Sequence, residues 1–289
     1  MKILTVGEII FDIFDGEAEI GGAPLNLCAH CARLGAQSAI VSGIGGDELG
    51  KTALEKLADF GVNSDFVIKN EYPTGRCIVT VKDGIPEYAV QRPAAYDKIR
   101  LSEELKKKIA DFGADIFAFG TLIQRDPVSA KAVEDILSSF KFSEVFCDIN
   151  LRPDCYSRES CLMCLENASI LKLSAEEEPL LARFGLYETA ETPEEKAANI
   201  CAAFGNIRLV VFTMGENGSV IYDSAAKKSY SVPCEKEKLV STVGAGDSYS
   251  AAFLCEYMKN GDIAAAGSAG ARLSAFVVSR REAIPDCDC

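Results

Sequence analysis

Residues 241–249, Ser-Thr-Val-Gly-Ala-Gly-Asp-Ser-Tyr, set two glycines around one alanine and deliver a single carboxylate, Asp247, to the start of an apolar, helix-compatible run. Gly244 and Gly246 allow a tight turn and a close backbone approach to a ligand. Free N–H groups at a helix start, with the positive end of the dipole, suit a phosphate. Asp247 is a poor ligand for that phosphate, because like charges repel, but a suitable proton acceptor for a hydroxyl that attacks it. A plainer role also fits, in which Thr242 and the glycines cap a helix and Asp247 is a first-turn acid. Capping needs one glycine or none, and this turn has two.

A second glycine-rich stretch, Gly45-Gly46-Asp47-Glu48-Leu49-Gly50-Lys51-Thr52, matches G-x-x-x-x-G-K-T, the phosphate loop of many nucleotide hydrolases. Asp47 and Glu48 would put two negative charges inside a loop meant to cradle triphosphate. They fit better as first-turn acids of a helix, with Lys51 in solvent. The 12 cysteines include two C-x-x-C pairs, Cys28/Cys31 and Cys161/Cys164, each with the spacing of half a zinc site. Both pairs sit in helix-like runs and the only histidine is His30, so the cysteines read as reduced core residues.

The elements that must position these residues alternate. Apolar, β-rich segments at 3–6, 39–42, 116–119, 145–149, 170–173, 209–213 and 219–222 read as strands buried on both faces. Helix-period stretches lie between and after them at 48–60, 102–111, 128–140, 193–204, 246–259 and 263–278. This pattern predicts a three-layer α/β fold, a mainly parallel sheet flanked by helices, in a single domain over 1–289. One region breaks the rhythm: residues 66–91 alternate strand-like runs with turns, including Asp83-Gly84, the dipeptide of a tight hairpin. With residues from 9–20 it predicts a small separate β-sheet, a lid over the strand ends formed by about 9–20 and 66–95.

Length and composition, 289 residues and 48% hydrophobic, allow one large core. A net charge of -13 argues against nucleic acid and anionic membranes, so an anionic ligand must be held by local donors. Met1 to Gly7 leads straight into a strand, and no run of about 18 apolar residues appears, so the expected location is cytoplasmic, with no membrane partner.

Several motifs occur in the order of a known family. Gly7-Glu8 with Asp12 is similar to an opening G-E-x-x-x-D, and Gly21-Gly22-Ala23-Pro24-Leu25-Asn26, running on to Leu34-Gly35, to a G-G-x-x-x-N motif. Residues 43–50 resemble G-x-x-G-x-D-x-x-G, Asp148-Ile149-Asn150-Leu151-Arg152-Pro153 resembles D-x-N-x-R-P, and Lys172 to Glu177 resembles the region of N-x-x-E. Thr213-Met214-Gly215-Glu216-Asn217-Gly218 resembles T-x-G-x-x-G, and 241–247 resembles D-T-x-G-A-G-D. Together they resemble the ribokinase-type (PfkB) carbohydrate kinases, with the fructokinases nearest. The resemblance assigns residues 45–52 to the sugar-binding half of a ribokinase-like fold.

The resemblance implies an ATP-dependent kinase acting on a terminal hydroxyl of a monosaccharide, with fructose to fructose 6-phosphate first in line. A 2-keto-3-deoxygluconate kinase is the alternative, and ribokinase or a nucleoside kinase remains open. Asp247 would take the hydroxyl proton, and the backbone N–H groups of Ala245, Gly246 and Asp247, entered through Gly244, would stabilise the transferring phosphoryl group. Asp12, Gly22, Asn26, Arg92, Asn150 and Arg152 would hold the sugar. Thr213, Gly215, Asn217, Gly218 and Thr242 would hold ATP, and Glu177 would act on Mg²⁺ through water. Relatives often pair through the lid, so the resemblance allows a homodimer formed that way. Ser241 replaces the motif's leading aspartate, Glu282 stands in Ser279-Arg280-Arg281-Glu282-Ala283 where a glycine is usual, and Ser174 replaces the asparagine of N-x-x-E. The first two fall where relatives form a monovalent-cation site, so potassium activation does not follow from the resemblance.

Overall fold

The computed structural model describes residues 1–82 and 85–286. The chain opens with β1 (Lys2–Val6), β2 (Ile10–Phe14), β3 (Glu17–Gly21), α1 (Ala23–Arg33), β4 (Gln37–Ile44) and α2 (Glu48–Asp59). It continues with β5 (Val62–Asn63), β6 (Val67–Lys69), β7 (Gly75–Lys82), β8 (Ile85–Val90), α3 (Glu103–Phe112), β9 (Ile116–Gly120), α4 (Pro127–Ser139) and β10 (Glu144–Asp148). It closes with α5 (Arg158–Asn167), β11 (Ile170–Ser174), α6 (Glu178–Ala182), α7 (Pro193–Ala203), β12 (Leu209–Thr213), β13 (Ser219–Asp223), β14 (Lys228–Val232), α8 (Ala245–Asn260) and α9 (Ile263–Val278).

Among the described residues the main sheet runs β14-β13-β12-β11-β10-β9-β1-β4-β5, with β6 also paired to β4. The neighbours from β5 to β12 are parallel, and β13 and β14 add an antiparallel edge. The two-residue period of the strands sorts their side chains between two helical layers. Ile3, Ile116, Ala118, Ile170 and Leu209 face α8 and α9 with Ala251, Phe253 and Ala266. Leu4, Phe117, Phe119, Leu171 and Val210 face α3, α4, α5 and α7 with Ile109, Val133, Leu165 and Ile200. A strand apolar at every position is what a sheet covered on both faces requires.

Helix starts follow their capping residues. Ser102, Asp126 and Asp262 each accept a backbone N–H at the N-cap of α3, α4 and α9, and Thr192 and Glu195 form a capping box on α7. Asp47 does the same for α2, accepting from the Gly50 N–H at 3.0 Å, and it also takes the Thr74 hydroxyl at 2.5 Å and Arg76 at 3.3 Å. Lys51 is exposed and paired with Glu48 at 2.5 Å. The phosphate-loop look-alike is therefore a helix cap that ties α2 to the start of β7.

A second sheet has the order β3-β2-β7-β8. Its extent corrects the expectation of 66–95. Residues 67–69 are β6 and pair with β4 of the main sheet, because Phe66 is buried edge-on against Phe112 at 5.5 Å. At the other end, Ala94, Tyr96 and Ile99 sit in the main core. The Asp83-Gly84 hairpin dipeptide lies outside the described residues. Among the described residues, no helix is long and apolar enough to cross a membrane.

Candidate active site

Gly244 ends the approach to α8 in the left-handed region, φ 78°, where a Cβ would lie 2.8 Å from the Ala283 carbonyl oxygen. Only glycine fits there. The Ala245 N–H turns back onto the Thr242 carbonyl at 3.3 Å, while those of Gly246 and Asp247 have no backbone partner among the described hydrogen bonds. Of the three amides expected to form the cradle, that of Ala245 is bonded within the turn and those of Gly246 and Asp247 are not. Asp247, one residue into that cradle, is half-buried, and its Oδ2 accepts from Asn26 Nδ2 at 2.7 Å. Burial raises the Asp247 pKa, Asn26, Lys172 and Arg152 oppose the rise, and Glu177 adds to it. A carboxylate moved up in this way is a better base near neutral pH than a free aspartate.

Asn26 reaches Asp247 from the first turn of α1, whose N-cap Gly22 has φ 113° and sits where a Cβ would lie 2.5 Å from the Glu8 carbonyl oxygen. The Asn26 N–H bonds the Gly22 carbonyl at 2.8 Å, which fixes the first turn. Its Oδ1 is buried without a partner, a free acceptor in the site. Asn150 lines one cleft with Asp247, Asp148, Glu8 and Thr121. It follows β10 at φ 38°, a conformation asparagine tolerates, and the Thr121 hydroxyl holds this turn by donating to the Ile149 carbonyl at 2.8 Å.

Arg152 is exposed; its carbonyl accepts the Cys155 N–H at 3.0 Å, while its guanidinium makes no hydrogen bond or ion pair among the described residues, yet its charge acts on Glu8, Asp12, Asp148 and Asp247. Asp12, on β2 opposite Cys77 of β7, has its pKa raised by burial against the pull of Cys77 and Arg152. Arg92 is exposed and donates to the Asp154 carbonyl, which joins the end of the small sheet to the Arg152 loop. The expected sugar ligands thus converge from the small sheet, α1 and the β10 loop.

Of the residues expected to hold ATP, Thr213, Gly215, Asn217 and Gly218 lie from the end of β12 to the start of β13, and Thr242 precedes α8. Thr213 closes β12, and its carbonyl accepts from the Ala175 N–H beyond β11 at 2.9 Å. Gly215 and Gly218 have φ of 55° and 82°, and a Cβ on Gly218 would lie 2.2 Å from the Val232 carbonyl oxygen. Asn217 and Thr242 are exposed. Glu177 accepts the Leu151 N–H on one carboxylate oxygen at 2.9 Å and the Ser174 N–H on the other at 2.8 Å. That bracing fixes the carboxylate beside Asp247, and the remaining lone pairs suit water better than direct metal ligation. Ser174, in the asparagine position, accepts the Glu177 N–H at 3.3 Å and so keeps the turn.

Three residues enter the site without having been singled out from the sequence. Lys172, 5% exposed, gives Nζ to Asp148 Oδ2 at 2.7 Å and lies 3.2 Å from where a Gly246 Cβ would stand. Burial pushes its pKa down, but Asp148, Glu177 and Asp247 together lift it above the usual lysine value. Its sequence signal was a lone charge in an otherwise apolar strand. Glu8, 4% exposed, is moved up to about 7 by burial, against its own backbone hydrogen bond and Arg152. Arg125 bonds both oxygens of Asp97, at 2.7 and 2.9 Å, and lies 4.8 Å over the Tyr96 ring. This buried pair anchors the segment leaving the small sheet.

Comparison with known proteins gives the family. The model of the pfkB family of carbohydrate kinases matches residues 4–288. The chain belongs to the pfkB family of carbohydrate kinases. This pfkB kinase is 28% identical over 305 residues to an ATP-dependent 6-phosphofructokinase of Thermoanaerobacterium thermosaccharolyticum, covering 98% of this chain and 90% of that one. It is 29% identical over 288 residues to fructokinase-2 of Zea mays, covering 90% and 81%. The solved structure of the sugar kinase PH1459 from Pyrococcus horikoshii in complex with ATP superposes with a TM-score of 0.81 at 24% identity, covering 98% and 94%. The fold is ribokinase-like, and the protein is a sugar kinase, a phosphotransferase.

Proposed function

We propose that this kinase transfers the terminal phosphoryl group of ATP to a terminal hydroxyl of a monosaccharide, with fructose converted to fructose 6-phosphate. The observation that carries the reading is Asp247, held by Asn26 at 2.7 Å at the mouth of a two-amide cradle, with its pKa raised. Asp247 accepts the proton of the sugar hydroxyl, and the Gly246 and Asp247 amides stabilise charge on the transferring group. Lys172 balances the acids around them. Asp12, Asn26, Asn150, Arg92 and Arg152 orient the sugar, and Gly22 shapes the α1 start. Thr213, Gly215, Asn217, Gly218 and Thr242 form the nucleotide side. Mg²⁺ when bound neutralises phosphate charge, and Glu177, with both oxygens braced by backbone N–H groups, fits a role through water. The small sheet with exposed Phe14 closes the site and serves as the surface for a homodimer, and the reading places the enzyme in the cytoplasm.

A monovalent cation does not fit the neighbourhood of the cradle. Ser241 supplies a hydroxyl that accepts the Val243 N–H at 3.2 Å instead of a carboxylate, and the Ala283 carbonyl is already bonded to His30 at 2.9 Å. One observation favours a second substrate class: the exposed Arg152 guanidinium has no ion-pair partner among the described residues, which would suit the carboxylate of 2-keto-3-deoxygluconate. ADP release measured with fructose, 2-keto-3-deoxygluconate, ribose and fructose 6-phosphate decides between them. Turnover of fructose well above the others supports the proposal, and preference for an anionic sugar removes it.

A further inference from the structure

The single histidine has no role in the chemistry above, yet it is 1% exposed and its ring nitrogen is committed. His30 Nε2–H donates to the Ala283 carbonyl at 2.9 Å. Burial pushes the imidazole down to about 4 against the opposing pull of that bond, so it is neutral in the working range and donates from one nitrogen. Ala283 is the residue that abuts Gly244: a Cβ on that glycine would lie 2.8 Å from the Ala283 oxygen and 2.9 Å from its Cα. The turn that opens the anion cradle therefore rests directly on the peptide that His30 holds.

The helix carrying His30 makes a second contact with the site. Asn26 and His30 are four residues apart and so share one face of α1. From that face Asn26 bonds the base Asp247 and His30 bonds the wall behind Gly244, while Leu27 and Cys31 of α1 pack in the same cluster as Ala251 and Phe253 of α8. Arg33, one turn on, donates to the Pro285 carbonyl and lies 3.3 Å from Asp286. α1 thus sets the spacing between the base, its amide cradle and the segment behind it.

We propose that His30 is a positioning residue for phosphoryl transfer, a strut that holds the Ala283 peptide against Gly244 so that the Gly246 and Asp247 amides keep their aim without an added monovalent cation. The inference rests on the kinase reading, and it concerns a group that touches neither sugar nor nucleotide. Its effect belongs to kcat, because the cradle acts on charge that develops during transfer.

The test compares His30→Leu, which keeps the volume and removes the donor, with His30→Gln, whose amide can still donate. Two readouts are taken: ADP release in potassium-free buffer, and, needing no turnover, hydrogen exchange of the Ala245 and Ser248 amides, which are bonded to the Thr242 and Gly244 carbonyls of the cradle turn. Expected for His30→Leu is about a tenfold fall in kcat, or about 1.4 kcal/mol, with sugar KM within about threefold, and about tenfold faster exchange in the cradle. His30→Gln should stay within about twofold of the unmodified enzyme on both. The inference is overturned if His30→Leu leaves kcat and exchange unchanged, if His30→Gln loses as much as His30→Leu, or if both variants unfold. Should the exchange change as expected while no sugar is turned over by any form, the strut stands and the kinase reading falls.

Discussion

Replacing Asn26 by leucine removes one hydrogen bond from the proposed base, together with its amide's proposed contact with the sugar. The Asn26 amide donates to Asp247 Oδ2 at 2.7 Å and opposes the upward push of burial on that carboxyl. Its Oδ1 has no partner, so leucine leaves no new acceptor stranded in the protein. A hydrogen bond to a charged group contributes about 1.5–3 kcal/mol, or about 1–2 pKa units. Asp247 is half-buried, which argues for the lower end, about one unit. With the donor gone the anion is less favoured and the pKa rises further. A base must be unprotonated to act, so the acid limb of the kcat profile should move to higher pH by about one unit. The assay is ADP release at saturating sugar between about pH 4.5 and 9, fitted for limb position separately from plateau height. The plateau will also fall if Asn26 touches the sugar, but the limb does not depend on that. An acid limb that stays in place or moves to lower pH refutes the assignment of Asp247 as the base that Asn26 tunes.

Other buried and exposed charges carry consequences of their own. Glu8 titrates near 7 in the folded chain against 4.5 without the fold, so its burial penalty is absent below about pH 4.5 and complete above about 7. Glu8→Gln should therefore raise stability at pH 8 by up to about 3 kcal/mol and leave it unchanged at pH 4, read from urea unfolding at both values. Arg125→Met strands Asp97 in the core, with side chains 1% and 3% exposed in the pair. A loss of about 3–5 kcal/mol is expected, recovered in large part by adding Asp97→Asn, as measured by chemical denaturation. Lys51→Ala should leave sugar-dependent ADP release within about twofold, since Lys51 is exposed on α2 and, among the described residues, its ion pair is with Glu48; a loss of turnover would return residues 45–52 to a phosphate loop.

How much of this was legible in the chain depends on whether the signal was local. The 241–247 turn could be read because its glycines state a backbone demand, and Gly244 does occupy the left-handed region. The central strands could be read because burial on both faces forces continuous apolar runs, as in 116–119 and 209–213. β14 escaped notice because an edge strand alternates polar residues, Lys-Ser-Tyr-Ser-Val, and so carries no such run. The extent of the small sheet was misjudged because β6 pairs with β4, and nothing near Val67 encodes a partner more than 20 residues away. The same limit hid Arg125 with Asp97, which are 28 residues apart, and His30 with Ala283, which are 253 apart. Lys172 was visible as an anomaly, one cation in the apolar strand Ile-Leu-Lys-Leu-Ser, but only the neighbouring Asp148 and Gly246 reveal its use.

The central claim is that Asp247 accepts the proton of the sugar hydroxyl, and Asp247→Asn tests it most directly. The variant keeps the side-chain shape beside Asn26 and removes the base, so kcat for ADP release should fall by about 100- to 10,000-fold. Calorimetric affinity for a non-hydrolysable ATP analogue should meanwhile remain within about threefold, since the Gly246 and Asp247 amides are untouched. A variant that turns over within tenfold of the unmodified enzyme, or that loses nucleotide binding together with activity, contradicts the account.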